Sequence, residues 1–180
     1  MEDSQFEGVL YFWFEELSKK DWFSPDFTLD QLIRERFGDT VKKAKAGELY
    51  HWRSSIRGRL AEIIVLDQFS RNIYRDNPES FASDDMALTL AQEAIKSNDV
   101  STLTDSEKSF LYMPFMHSES LLIQENFSMR LFQEEGLEKR YKYAKEHYET
   151  IKKFGRFPYR NKILGRKSTM EELDYLKEKK

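Results

Sequence analysis

The sequence contains no cysteine, which excludes disulfides, thiolate metal ligands and cysteine nucleophiles and makes a reducing cytoplasm the expected compartment. Proline is scarce too, at four residues in 180, and glycine occurs seven times, so long stretches lack the residues that interrupt helices. No run approaches the roughly 20 apolar residues of a membrane span. The opening Met1-Glu2-Asp3-Ser4-Gln5 is acidic, whereas a secretory signal places positive charge ahead of an apolar stretch. Neither insertion in a membrane nor export is expected. Also missing are the His-Glu-x-x-His zinc motif, the calcium loop, the Walker loop and the dinucleotide glycine pattern. A two-metal carboxylate bundle wants glutamate three residues before each histidine, and those positions hold Pro114 and Ala144. Neither metal nor cofactor is expected. The one metal arrangement left, a single ion on His117, Glu119 and His147, has no motif behind it.

Charge is abundant, at 34% of residues, with a net value of -3. Lys139 to Lys167 holds eleven Lys/Arg against Glu146 and Glu149, a local +9 that leaves -12 for the rest. Such segregation steers anionic partners, or lets the basic block pack onto the acidic body. Aromatics interleave the block at Tyr141, Tyr143, Tyr148, Phe154, Phe157 and Tyr159, as single-stranded nucleic acid binding requires. The sequence pI of about 5.8 weighs against nucleic acid.

Apolar residues at three- and four-residue spacing predict an all-α protein of about eight helices joined by short loops, arranged as stacked antiparallel hairpins in one domain over 1-180. The first helix is expected over Phe6 to Leu17. Thr28 to Gln31 has the spacing of a capping box for a second helix that stops at Gly47. A third runs from Ser55 to Asn72. Ser83 caps a fourth, Thr104 and Glu107 form a capping box for a fifth, and Pro114 marks a kink or a new start. Helices over Leu121 to Phe132 and Leu137 to Phe154 follow. Ser168 to Glu171 caps the last.

Four constellations carry chemistry. Asp67 and Arg71 lie four apart on one helical face in strongly apolar surroundings, where a carboxylate and a guanidinium need each other; Gln68 and Asn72 accompany them. His117 follows Pro114 in apolar sequence, beside Ser118 and Glu119. Neighbouring helical residues point about 100° apart, so His117 and Ser118 do not make a nucleophile and base. His147 lies thirty residues on. The fourth is Phe154-Gly155-Arg156-Phe157-Pro158-Tyr159-Arg160-Asn161-Lys162-Ile163-Leu164-Gly165-Arg166. Three arginine forks suited to carboxylate or phosphate are held there on a backbone shaped by glycine and proline.

These motifs occur together with Val9-Leu10-Tyr11-Phe12-Trp13-Phe14, Gly47-Glu48-Leu49 with Trp52, Gly58-Arg59-Leu60-Ala61, Phe81-Ala82 and Tyr112-Met113-Pro114. In this order they resemble the bacterial domain of unknown function 924 family over nearly the whole chain. The resemblance implies an all-helical fold related to tetratricopeptide-repeat proteins, and no established activity. The family usually has proline in place of Ser70 and histidine in place of Tyr159. Tyrosine does not replace a histidine base or ligand at neutral pH.

The expected site is a polar pocket between helices lined by Arg71, Asn72, His117, Glu119, His147, Arg156, Arg160, Asn161 and Arg166. Asp67 and Gln68 stand behind it, and Asp67 and Glu119 hold the arginines. Its ligand is an anionic small molecule or an acidic peptide. One alternative is an enzyme with His117 or His147 as general acid or base and arginine stabilising negative charge. Another is a scaffold in which these side chains satisfy one another.

Overall fold

The computed structural model describes residues 3–179, so Met1 and Glu2 of the acidic opening lie outside the described residues. Eight helices and no strand occur among the described residues. Helix α1 is Asp3–Tyr11 and runs on as a π turn over Phe12–Glu16. Helix α2 is Phe27–Lys45. Helix α3 begins as Ile56–Ile64, widens into a π turn over Val65–Phe69 and finishes as Ser70–Ile73. Helices α4 and α5 are Asp84–Ala94 and Asp105–His117. Helix α6 joins Leu121–Ile123, a π turn over Gln124–Ser128 and Met129–Leu131. Helices α7 and α8 are Glu138–Phe154 and Met170–Glu178.

Helix α3 is the centre. Leu60, Ile63, Ile64, Val65, Leu66 and Phe69 are all fully buried in it, because α1, α2, α4 and α5 pack around it. A buried side chain of this size contributes about 1.5–3 kcal/mol. Trp13 of α1 ties the layers together, with its ring 5.6 Å from Phe69 and 5.5 Å from Phe110 of α5. Helix α4 pairs with α5, and α7 lies on α5 and α6. This pairing is consistent with the stacked, tetratricopeptide-like arrangement that the resemblance implies. No helix among the described residues is long and apolar enough to cross a membrane.

The capping box of Thr104 and Glu107 forms as the spacing predicts. Two other caps differ from expectation. Asp26, not Thr28, caps α2, accepting from the Thr28 and Leu29 amides. Gln31 bonds Glu35 instead, since a carboxylate two residues upstream already satisfies the first amides. The last box uses Thr169 and Glu172, one residue beyond Ser168 and Glu171, because Glu172 is also held by Arg156. Ser83 takes the N-cap position of α4 without a side-chain bond. Pro114 starts no new helix; α5 continues through it to His117. After α7 the chain turns at Gly155 with φ 67°, a left-handed conformation natural to glycine, and this turn aims the arginine-rich loop back across α5.

Candidate functional site

The π turn of α3 places Asp67 and Gln68 in the interior, where an ordinary amphipathic helix would put apolar residues; such turns recur at functional sites. The Asp67 carboxylate, 1% exposed, receives Arg71 Nη1 at 2.9 Å, His117 Nδ1 at 2.8 Å and Gln68 Nε2 at 2.5 Å. Burial pushes the Asp67 carboxyl up, but the charges of Arg71 and His117 and the hydrogen bonds outweigh it, so the group is held well below the usual carboxylate range. Gln68 also donates toward Met113 Sδ at 3.5 Å. Arg71 completes its fork on Asp84, with Nη1 and Nη2 donating at 2.9 and 3.0 Å.

Arg160, on the turn Pro158–Arg160, reaches the same carboxylate. It is 4% exposed and donates to Asp84 Oδ2 at 3.2 Å and to the His117 carbonyl at 3.0 Å. The rings of Phe81 and Phe157 lie 4.6 and 4.7 Å from its guanidinium carbon, while its Nε is buried without a partner. Asp67, Arg71, Asp84, His117 and Arg160 therefore make one connected network, drawn from α3, α4, α5 and the loop.

The rest of the loop forms an adjoining network. Arg166 grips Glu119 with Nη1 and Nη2 at 2.7 and 3.0 Å, and Glu119 also accepts the Phe157 amide at 2.7 Å. Arg156 donates to both oxygens of Glu172 at 2.7 and 2.9 Å. Asn161 is fully buried; its amide donates to Ser168 and Glu172, and its carbonyl accepts from Arg166 Nε at 2.9 Å. Asn72 stands apart, donating to Asp30 of α2 at 2.8 Å. With Glu119 engaged by Arg166 and Phe157, the arrangement of His117, Glu119 and His147 around an ion is not formed. No group of three histidine or acidic side chains suited to a metal occurs among the described residues.

Two clefts of about 400 Å³ each open beside this network, and His117 lines both. The first is bordered by Asp84, Asp85, Ser118, Glu119 and Arg160 over Phe81, Pro114 and Leu164. Its single arginine is already neutralised by Asp84. The second is lined by Phe23, Met113, Met116, His117, Arg140, Tyr143 and His147, and it holds a different kind of cation. Arg140 lies 4.1 Å from the Phe23 ring centroid and, among the described residues, forms no ion pair with a carboxylate. Burial disfavours its charge. His147 donates Nδ1–H to the Tyr143 carbonyl at 2.8 Å, and its ring centre is 6.4 Å from that of His117. Burial, then the charge of His117, pushes the imidazole down to about 4, so His147 is neutral at pH 7.

Of the residues expected in one pocket, the fold thus brings His117 and His147 to a shared cleft, with Arg71 and Arg160 behind them. It places Glu119, Arg156, Asn161 and Arg166 in the clamp of the loop. Sequence reasoning missed Arg140, Tyr143, Phe23, Met113 and Met116. Arg140, Tyr143 and His147 do share one face of α7 at spacings of three and four residues, a signal hidden in a helix crowded with basic and aromatic side chains.

An all-helical protein with two clefts on either side of His117, one walled by an arginine and carboxylate network and the other by apolar, histidine and arginine side chains, is the class that this fold and site define. The chain belongs to a bacterial family of proteins of unknown function, DUF924, whose model matches residues 9–180. It is similar to the solved structure of a protein of unknown function from Agrobacterium tumefaciens, ATU0120, with 32% identity, a TM-score of 0.93 and coverage of 99% of each chain. No curated protein matches it. Tyr159 is 47% exposed and packs 5.4 Å from Phe157; Ser70 is fully buried and its Oγ is unpartnered.

Proposed function

We propose that this protein binds a small organic anion in the cleft between α5 and α7, with Arg140 as the anion's partner. One observation carries the reading. Arg71, Arg156, Arg160 and Arg166 each hold a carboxylate, whereas Arg140 sits half-buried against Phe23 with none. A partly desolvated guanidinium gains more from an incoming carboxylate or phosphate than an exposed one. The cleft volume of about 400 Å³ is that of a small-molecule site, which favours a metabolite over an acidic peptide.

The test is thermal denaturation in the presence of carboxylates and inorganic phosphate. A ligand at one hundred times its dissociation constant adds about 2.7 kcal/mol, a rise of roughly 5–11 °C for a chain of this size. Arg140→Gln is expected to abolish the rise, and Arg156→Gln to leave it intact. Stabilisation that persists in Arg140→Gln refutes the assignment.

A second reading rests on the pairing of Asp67 with His117. The carboxylate fixes His117 through Nδ1 and leaves Nε2 without a partner among the described residues, the arrangement of a general base. Any acid that binds should then be converted on incubation, as followed by NMR. A ligand recovered unchanged, with no exchange of its protons, leaves binding alone.

A further inference from the structure

The cleft offers a bound molecule more than a cation, and its second demand is of opposite kind. His147 donates Nδ1–H to the Tyr143 carbonyl, which assigns the proton of the neutral ring to Nδ1 and leaves a lone pair on Nε2. Among the described residues this Nε2 has no donor. A carboxylate held by Arg140 offers that lone pair no proton. Arg140 supplies donors only. The cleft therefore matches a molecule that presents acceptors at one end and a donor at the other.

The backbone sets how far apart these ends lie. Arg140 and His147 both belong to α7 and are separated by seven residues, two turns, or roughly 10 Å along the axis. Between them lie Tyr143 on the same face of α7 and the apolar side chains of Met113 and Met116 of α5, with Phe23 alongside and His117 beside His147. Thioether side chains adapt to flat or flexible bodies.

Resting on the reading of this cleft as an anion site, we infer that its ligand is a monocarboxylate with an apolar body and a hydroxyl at the far end. The carboxylate accepts from Arg140, the body lies on Met113 and Met116, and the hydroxyl donates to His147 Nε2. One guanidinium matches one negative charge.

Calorimetric titration of matched pairs tests this: 3-phenylpropanoate against 3-(4-hydroxyphenyl)propanoate, and octanoate against 8-hydroxyoctanoate, with inorganic phosphate alongside. At least one hydroxylated acid should bind about 3- to 10-fold more tightly than its parent, as one neutral hydrogen bond contributes. His147→Leu should erase that preference while the parent acid still binds. In the unaltered protein, the 15N resonance of His147 Nε2 should move upfield with the hydroxylated acid and stay in place with the parent, a readout independent of how the variant folds. If both pairs bind within twofold of each other, or the preference survives in His147→Leu, the hydroxyl assignment is overturned and the anion site stands. If phosphate binds and no acid does, the ligand class is wrong. If nothing binds, the anion reading itself fails.

Discussion

Replacing Asp67 by Asn removes a charge that three side chains share, and the structure sets how much this should cost. The carboxylate is 1% exposed, with Arg71 at 2.9 Å and His117 at 2.8 Å. Breaking a buried ion pair from one side typically destabilises by about 3–5 kcal/mol, because the remaining charge is left without compensation. Arg71, however, keeps both oxygens of Asp84, and its side chain is 21% exposed, so the lower end applies. The expected loss is about 3 kcal/mol at pH 7, or roughly 6–12 °C in melting temperature for a domain of this length. Urea unfolding monitored through the buried tryptophans measures it. A double-mutant cycle with His117→Phe should return a coupling of about 0.5–3 kcal/mol, since part of the loss reports on the imidazole. A loss under about 1 kcal/mol, as for an exposed pair, would show that the network contributes no more than surface charge and refute the argument from burial.

Gly58→Ala places a Cβ 2.0 Å from the Trp52 carbonyl oxygen and 2.8 Å from its carbon, a clash with backbone that should cost about 3 kcal/mol, the upper end of overpacking. Gly38→Ala in α2 meets nothing within 4 Å and should instead stabilise by about 0.5–1 kcal/mol; equal effects in chemical denaturation would contradict both. The Arg156 hydrogen bond, with the Thr169 amide and Asn161, holds the Glu172 carboxyl down to about 2, below its ordinary 4.5. A depressed carboxylate contributes stability that is fully present above about pH 4.5 and lost as pH falls through about 2. Glu172→Gln should therefore be less stable at pH 7 and have a flatter stability curve across that window; parallel curves would contradict the pairing. His147 acts in the same direction over a higher window: with its folded value near 4 against an ordinary 6.5, the unfolded chain takes the proton first, and stability falls as pH drops from 6.5 to 4. Arg71 and Arg160 nearby add positive charge that disfavours its protonation, and His147→Leu should remove this part of the decline in acid denaturation curves.

Much of the architecture was legible because burial imposes a period. The apolar spacing in Leu60 to Phe69 reported a central helix, and Thr104 with Glu107 reported a cap, since each depends on residues within one or two turns. The π turn at Val65–Phe69 was not legible, because its inward Asp67 and Gln68 look from their spacing like the polar face of an ordinary helix. For the site, the arginine-rich loop was found for a sound reason, its dense donors, but which donors remain open is a tertiary matter. Arg156, Arg160 and Arg166 find Glu172, Asp84 and Glu119 across separations of 16, 76 and 47 residues, and no local spacing encodes those meetings. Arg140 combines a place in a cleft, a ring beneath its guanidinium and no ion pair among the described residues, a combination the folded chain alone reveals.

The long reach of those arginines bears on the order in which the molecule can be made. Asp84 and Glu119 are synthesised well before Arg160 and Arg166, so a nascent chain ending near Phe154 already contains the core-forming sequence, with Arg71 available to Asp84, but not the two loop arginines. Until synthesis passes Arg166, Glu119 lacks its guanidinium partner and the turn at Gly155 has no clamp. The loop thus serves as a clasp over sequence made earlier, and of the two clefts it is the one walled by Arg160 and Leu164 that requires the loop for its shape.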